Sequence, residues 1–187
     1  VILIEKNERL GKKLFITGKG RCNITNSSSM DLFFDNIITN KNFLYSSLFS
    51  FTNRDIIKLL GDNGLRTKVE RGNRVFPEND KSSDVIKAFI RFLEKSNVKL
   101  RLNSDVIDIY LNEDKFVVKT NNDVFLFDKL ILTTGGKSYP ATGSTGDGYK
   151  FAKNFGHTIV ELKPSLVPLE IDAPWLKDLQ GLSLKNV

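Results

Sequence analysis

Cysteine, histidine, tryptophan and methionine occur once each in the 187 residues, the first two as Cys22 and His157. One cysteine closes no intrachain disulfide, and one cysteine with one histidine falls short of the ligand set of an ordinary zinc centre. A serine, histidine and acid triad cannot be assembled, because the one histidine lies in a strand-entry context. His157 follows the helix-stop residue Gly156 and heads the run HTIVEL, which favours a structural role at the entry of a strand. No apolar run approaches the roughly 20 residues that a membrane span requires. A dense block of cations is also missing. The 28 Lys and Arg are scattered among 22 Asp and Glu, so the net charge of +6 reads as a solvated surface and argues against a nucleic-acid partner. Any catalysis is therefore left to a cofactor, and the lack of disulfides points to a reducing cytoplasm.

What the chain does have is 40% hydrophobic and 27% charged residues, an ordinary globular balance, and glycines in informative places. Residues 130–149 read LILTTGGKSYPATGSTGDGY: an apolar strand runs into Gly135 and Gly136, and a second turn, Gly146, Asp147 and Gly148, opens a helix. Without a β-carbon, glycine lets backbone approach another molecule closely. Residues 17–26, TGKGRCNITN, add Gly18, Gly20, Lys19, Arg21 and short hydroxyl and amide side chains. Their N–H groups and cations suit a diphosphate, although an ordinary surface loop carries the same residue types. Glu5 ends the run VILI, where the carboxyl edge of a parallel strand meets a ligand and a carboxylate accepts from ribose hydroxyls. The glycine fingerprint that accompanies such an acid is expected upstream of residue 1. Together these features predict a nucleotide cofactor lying across the ends of parallel strands.

The periodicities predict an α/β plan with inserts. Residues 1–4 form a buried parallel strand, followed by a polar, glycine-rich connection to about Ser29. Thr52 caps a helix carrying Ile56, Ile57, Leu59 and Leu60 and stopped by Gly64. Residues 65–69 and 74–76 pair as a hairpin, and Ser83 caps a second helix whose stripe of Val85, Ile86, Phe89, Ile90 and Leu93 faces the core. Strands follow at residues 99–102, 105–111, 116–120 and 124–127, the last three as an antiparallel meander, and residues 130–133 return to the parallel sheet. Val1 stands where a full gene product has Met, and GLSLKNV reads as the first strand of something new, so both ends are expected to be cut.

Single residues admit competing readings. Asp147 at a helix N-terminus accepts from a sugar or ribityl hydroxyl, and equally stabilises its own helix. Cys22 reads as a small packing residue ahead of a redox thiol. Arg74, Phe76 and Pro77 either wall a ligand or close the hairpin.

Three segments, residues 1–26, 72–86 and 130–171, resemble in this order the bacterial FAD-dependent oxidoreductases of the aminoacetone oxidase and bile-acid dehydro-reductase family, of the glutathione-reductase type. The resemblance implies a Rossmann-like FAD-binding domain over residues 1–165, with a mostly helical insert at 31–97, and the start of a β-rich second domain at 166–187. Glu5 would bind the adenosine ribose. Lys6, Lys12, Lys13, Thr17, Gly18, Gly20, Arg21 and Asn23 would lie along the diphosphate and flavin, and the backbone of Val106 would pair with adenine. Thr134, Gly135 and Gly136 would pass the phosphates, and Gly146, Asp147 and Gly148 would meet the ribityl chain and diphosphate. FAD is the implied cofactor, with NAD(P)H as a possible reductant and a small organic molecule as substrate. The alternatives are a flavoprotein acting on RNA and a nucleotide-binding module without catalysis. No membrane partner, metal site or catalytic acid or base is expected from these residues.

Overall fold

The computed structural model describes residues 1–164 and 170–182 and divides the chain into two compact units, Val1–His157 and Thr158–Val187. In the first unit, β1 (Ile2–Ile4) pairs in parallel with β5 (Lys99–Arg101), Ile2 opposite Lys99. Between them lie α1 (Lys12–Ile16), β2 (Thr25–Asn26), α2 (Met30–Asp35), α3 (Lys41–Ser50), α4 (Asn53–Asp62), β3 (Thr67–Glu70), β4 (Arg74–Pro77) and α5 (Ser82–Lys95). Strands β2, β4 and β3 form one antiparallel sheet. The meander β6 (Val106–Asn112), β7 (Lys115–Thr120) and β8 (Val124–Phe127) forms another, and α6 (Asp147–Asn154) follows it.

Capping chemistry sets the helix limits. Thr52 and Asp55 form a reciprocal capping box at the start of α4. At the other end, Leu65 N–H bonds to the Leu60 carbonyl and Gly64 N–H to the Gly61 carbonyl, the two bonds of a Schellman stop, with Gly64 at φ +80°. The same pair of bonds closes α5 through Asn97 and Val98, and α6 through Gly156 and His157.

Two apolar clusters result. Cys22, Leu60, Leu65, Val85 and Ala88 pack with Ile24, Ile56, Leu59 and Phe89, joining α4, α5 and the loop before β2. Ile109, Val118 and Phe151 pack with Ile4, Val106, Phe125, Phe127 and Leu130, joining β1, the meander and α6. The second cluster fixes the end of β1 beside the first turn of α6.

Four local expectations are corrected. Residues 130–133 form no strand: Leu130 packs inward while Ile131 is 84% exposed, and no strand among the described residues offers them a ladder. The glycine-rich connection contains α1, a 3₁₀ turn at Thr17–Gly20 and β2. Ser83 does not cap α5: the helix starts at Ser82, so Ser83 lies inside it, and the N-cap position is held by Lys81, which has no side-chain acceptor, while Ser82 Oγ donates to the Phe15 carbonyl at 2.8 Å. His157 enters no strand; it is exposed and its N–H completes the end of α6. In the second unit Pro174–Leu179 is a 3₁₀ segment, while residues 165–169 and 183–187, which carry part of the expected inter-domain passage and the terminal strand, lie outside the described residues.

Candidate functional site

Of the three residues that follow β1, Lys6 and Asn7 reach the turn that leads into α6, and Glu5 is tied to it through Asn7. Lys6 Nζ donates to Asp147 Oδ2 and to Thr145 Oγ1, both at 2.7 Å. Asn7 Nδ2 donates to Glu5 Oε1 at 2.7 Å and to the Thr142 carbonyl at 3.2 Å, while Asn7 N–H donates to the same Glu5 oxygen at 2.8 Å. Glu5 is half-buried, with its backbone tied on both sides: its N–H bonds to the Arg101 carbonyl, and its carbonyl accepts from Ser104. The Lys6 ammonium, and then the Thr145 hydroxyl, hold the Asp147 carboxyl below the usual aspartate range.

Glycine makes this junction close. Gly143 sits at φ +95°, and a β-carbon there would lie 2.6 Å from Asn7 Nδ2. Gly148 is buried in α6, where a β-carbon would collide with Thr134 Oγ1, so the glycine turn at 134–136 lies directly on the helix. Gly135, at φ +77°, leaves the backbone of this turn exposed. At the start of α6, Gly146 is left-handed and no side chain caps the helix, leaving its first N–H groups for another acceptor. Lys13 reaches in from α1, its Nζ 2.7 Å from the Ser138 carbonyl.

Glu5, Lys6, Lys13, Thr134, Gly135, Gly136, Gly146, Asp147 and Gly148 thus belong to one connected junction. The other expected residues lie elsewhere in the local network. Lys12 pairs with Glu8 at 2.6 Å. Val106 opens β6 opposite Thr120 and packs its side chain in the second apolar cluster. Thr17 Oγ1 donates to the Leu14 carbonyl, Gly18 and Gly20 are left-handed, and Asn23 is exposed.

Arg21 departs furthest from the expectation of a cation turned to a phosphate. Its Nη2 lies 2.5 Å from Glu70 Oε1 and 2.6 Å from Asp80 Oδ1, its Nε 2.9 Å from the same Asp80 oxygen, and its guanidinium 4.1 Å from the Phe76 ring centre. Lys68 supports both acids, 2.7 Å from Asp80 and 3.4 Å from Glu70. The Arg21 guanidinium pulls the Glu70 carboxyl down, and Lys68 followed by Arg21 does the same to Asp80. Phe76 and Arg74 are accordingly residues of β4, closing the hairpin. Cys22 is 1% exposed, and burial pushes its thiol up, so little reactive thiolate forms.

Sequence reading missed Asn7, Thr142 and Thr145, whose roles arise only when distant segments meet. It also missed Lys68, Glu70 and Asp80. Lys68 and Glu70 did carry a signal, because opposite charges two apart on a strand share one face.

A parallel strand ending in an acid, joined to an exposed glycine turn and an uncapped helix, defines an α/β nucleotide-binding protein of the Rossmann type. Residues 1–186 match the HI0933-like protein Rossmann domain, and the chain belongs to that family of flavoproteins. It is 31% identical over 183 residues to a ribosomal RNA dihydrouridine synthase of Escherichia coli (strain K12), covering 98% of this chain and 45% of that protein. It is also 31% identical over 171 residues to the 3-dehydro-bile acid delta(4,6)-reductase of Clostridium scindens, covering 91% of this chain and 41% of the relative. A ribosomal RNA dihydrouridine synthase of Haemophilus influenzae is 29% identical over 191 residues, covering 98% and 47%. The chain therefore spans less than half the length of each of these relatives. No helix among the described residues is long and apolar enough to cross a membrane.

Proposed function

We propose that this chain is the nucleotide-binding part of an FAD-dependent oxidoreductase that saturates a carbon–carbon double bond, with NAD(P)H as the hydride source. The observation that carries the proposal is the junction at the end of β1, where Lys6 and Asn7 meet the turn into α6 and Asn7 also holds the Glu5 carboxylate. The residues fit the cofactor's chemistry. Glu5 offers carboxylate acceptance to ribose hydroxyls, Lys13 and the uncapped start of α6 offer positive charge and N–H groups to a diphosphate, and the exposed glycine turn admits close backbone contact. Asp147, neutralised by Lys6, is suited to a hydroxyl rather than to a bare phosphate. Bound FAD supplies two-electron transfer, which the titratable side chains of this junction do not supply. We assign residues 1–165 to this domain and 166–187 to the opening of the next.

The activities named for the relatives support reduction in particular. One is a reductase, and dihydrouridine carries two hydrogens more than uridine. Both names describe hydrogen added across a carbon–carbon double bond. A substrate with that bond conjugated to a carbonyl fits both, since the carbonyl takes up charge as hydride arrives.

Ribosomal RNA as the substrate is the second reading, favoured by the two dihydrouridine synthase relatives. Purification of the intact protein with a flavin absorbance spectrum is expected, and Glu5→Ala and Gly135→Val are expected to lower flavin content. Wild-type flavin occupancy in both variants would overturn the site. Co-purifying RNA whose binding falls steeply with salt selects the second reading; a salt-insensitive preparation free of RNA selects a small substrate.

A further inference from the structure

The loop between α1 and β2 holds a conformation that side chains resist. Gly18 (φ +57°), Lys19 (+56°), Gly20 (+85°) and Cys22 (+61°) are all left-handed, and two of these residues carry a β-carbon. Such a run persists only where its surroundings over-determine it. On one side Cys22 is buried among Leu60, Leu65, Val85 and Ala88. Within the turn, Arg21 N–H bonds to the Gly18 carbonyl at 3.2 Å and Cys22 N–H to the Thr17 carbonyl at 2.9 Å. On the other side the Arg21 guanidinium lies on Phe76, held by Glu70 and Asp80, which Lys68 in turn secures. The turn closes tightly over this support: a β-carbon at Gly18 would stand 3.0 Å from Asn23 N and 3.4 Å from Phe76 Cε1.

We propose that Arg21 is a positioning residue: by gripping Glu70 of β3 and Asp80 of the loop after β4 it holds the left-handed turn 18–22 rigid, so that the backbone this turn exposes can flank the bound nucleotide. This rests on the flavin-nucleotide reading above. The turn follows directly on α1, whose Lys13 already reaches the glycine turn at Ser138. Gly18 and Lys19 are exposed, so the turn presents backbone to solvent while Arg21 points back into the protein. Arginine suits this role better than lysine because its planar fork engages two carboxylates while stacking on a ring.

The test uses the intact protein, with Arg21→Gln, Arg21→Lys and Glu70→Gln variants. Two quantities are measured: the rate at which a maleimide modifies Cys22, read by mass spectrometry of its peptide, and the dissociation constant of FAD. Arg21→Gln is expected to raise the labelling rate and the dissociation constant each by about tenfold, with partial rescue by lysine and a smaller shift in Glu70→Gln. Wild-type labelling in both Arg21→Gln and Glu70→Gln overturns the grip. Faster labelling with unchanged FAD affinity overturns the positioning role while leaving the flavin reading intact. A wild-type protein that binds no FAD overturns the flavin reading and the positioning role together, and the labelling rates then report only whether the grip exists.

Discussion

Lys6 and Asp147, 141 positions apart in the chain, hold each other at 2.7 Å and so fasten the end of β1 to the first turn of α6. The apolar contacts beneath them make the same connection, since Ile4 of β1 and Phe151 of α6 share one cluster. The polar link sets the register of a junction that hydrophobic packing has already brought together.

The link has a pH signature. Asp147 titrates below its ordinary value in the folded chain, so its contribution is complete above the unfolded value of about 4 and is lost as pH falls through the folded one. Its side chain is 41% exposed, which limits the contribution to less than about 1 kcal/mol. Asp147→Asn is therefore expected to lower stability in urea slightly at pH 7 and by less at pH 3. A difference that grows on acidification would contradict the pairing.

Gly143→Ala is expected to be more damaging. The substitution places a β-carbon at φ +95° and against the Asn7 amide, which bridges Glu5 and Thr142. Left-handed strain alone costs about 1–3 kcal/mol. Thermal unfolding should show a clear drop in midpoint, accompanied by weaker nucleotide binding. A midpoint equal to that of the wild type would mean that the turn tolerates a side chain.

Within the helical part, Leu60→Ala and Thr52→Ala rank two different forces. Leu60 is 0% exposed, and its truncation should cost about 2–5 kcal/mol through lost burial and the cavity left behind. Removing the Thr52 hydroxyl breaks a capping box and should cost about 1 kcal/mol. Urea denaturation that reverses this order would show that the cluster around Leu60 relaxes to fill the gap.

Much of this architecture was legible before any coordinates. The Thr52 cap, the Gly64 stop, the stripe from Val85 to Leu93, the hairpin and the meander all follow from short-range signals, because each depends on residues within a turn or two of chain. Residues 130–133 show where such signals fail. LILT has the composition of a strand, yet a strand exists only where another offers its ladder, and no run of residues encodes its neighbour. Arg21 failed for a related reason. A cation in a glycine loop suggests a phosphate, and only the fold shows that Glu70 of β3 and Asp80 of the loop after β4 already pair with it.

Among the described residues β1 is hydrogen-bonded to β5 alone, and Ile131 is 84% exposed. Unsatisfied strand flanks act as templates for chains in solution. An edge of β1 left open in solution should therefore promote self-association as concentration rises, which light scattering across a dilution series reads.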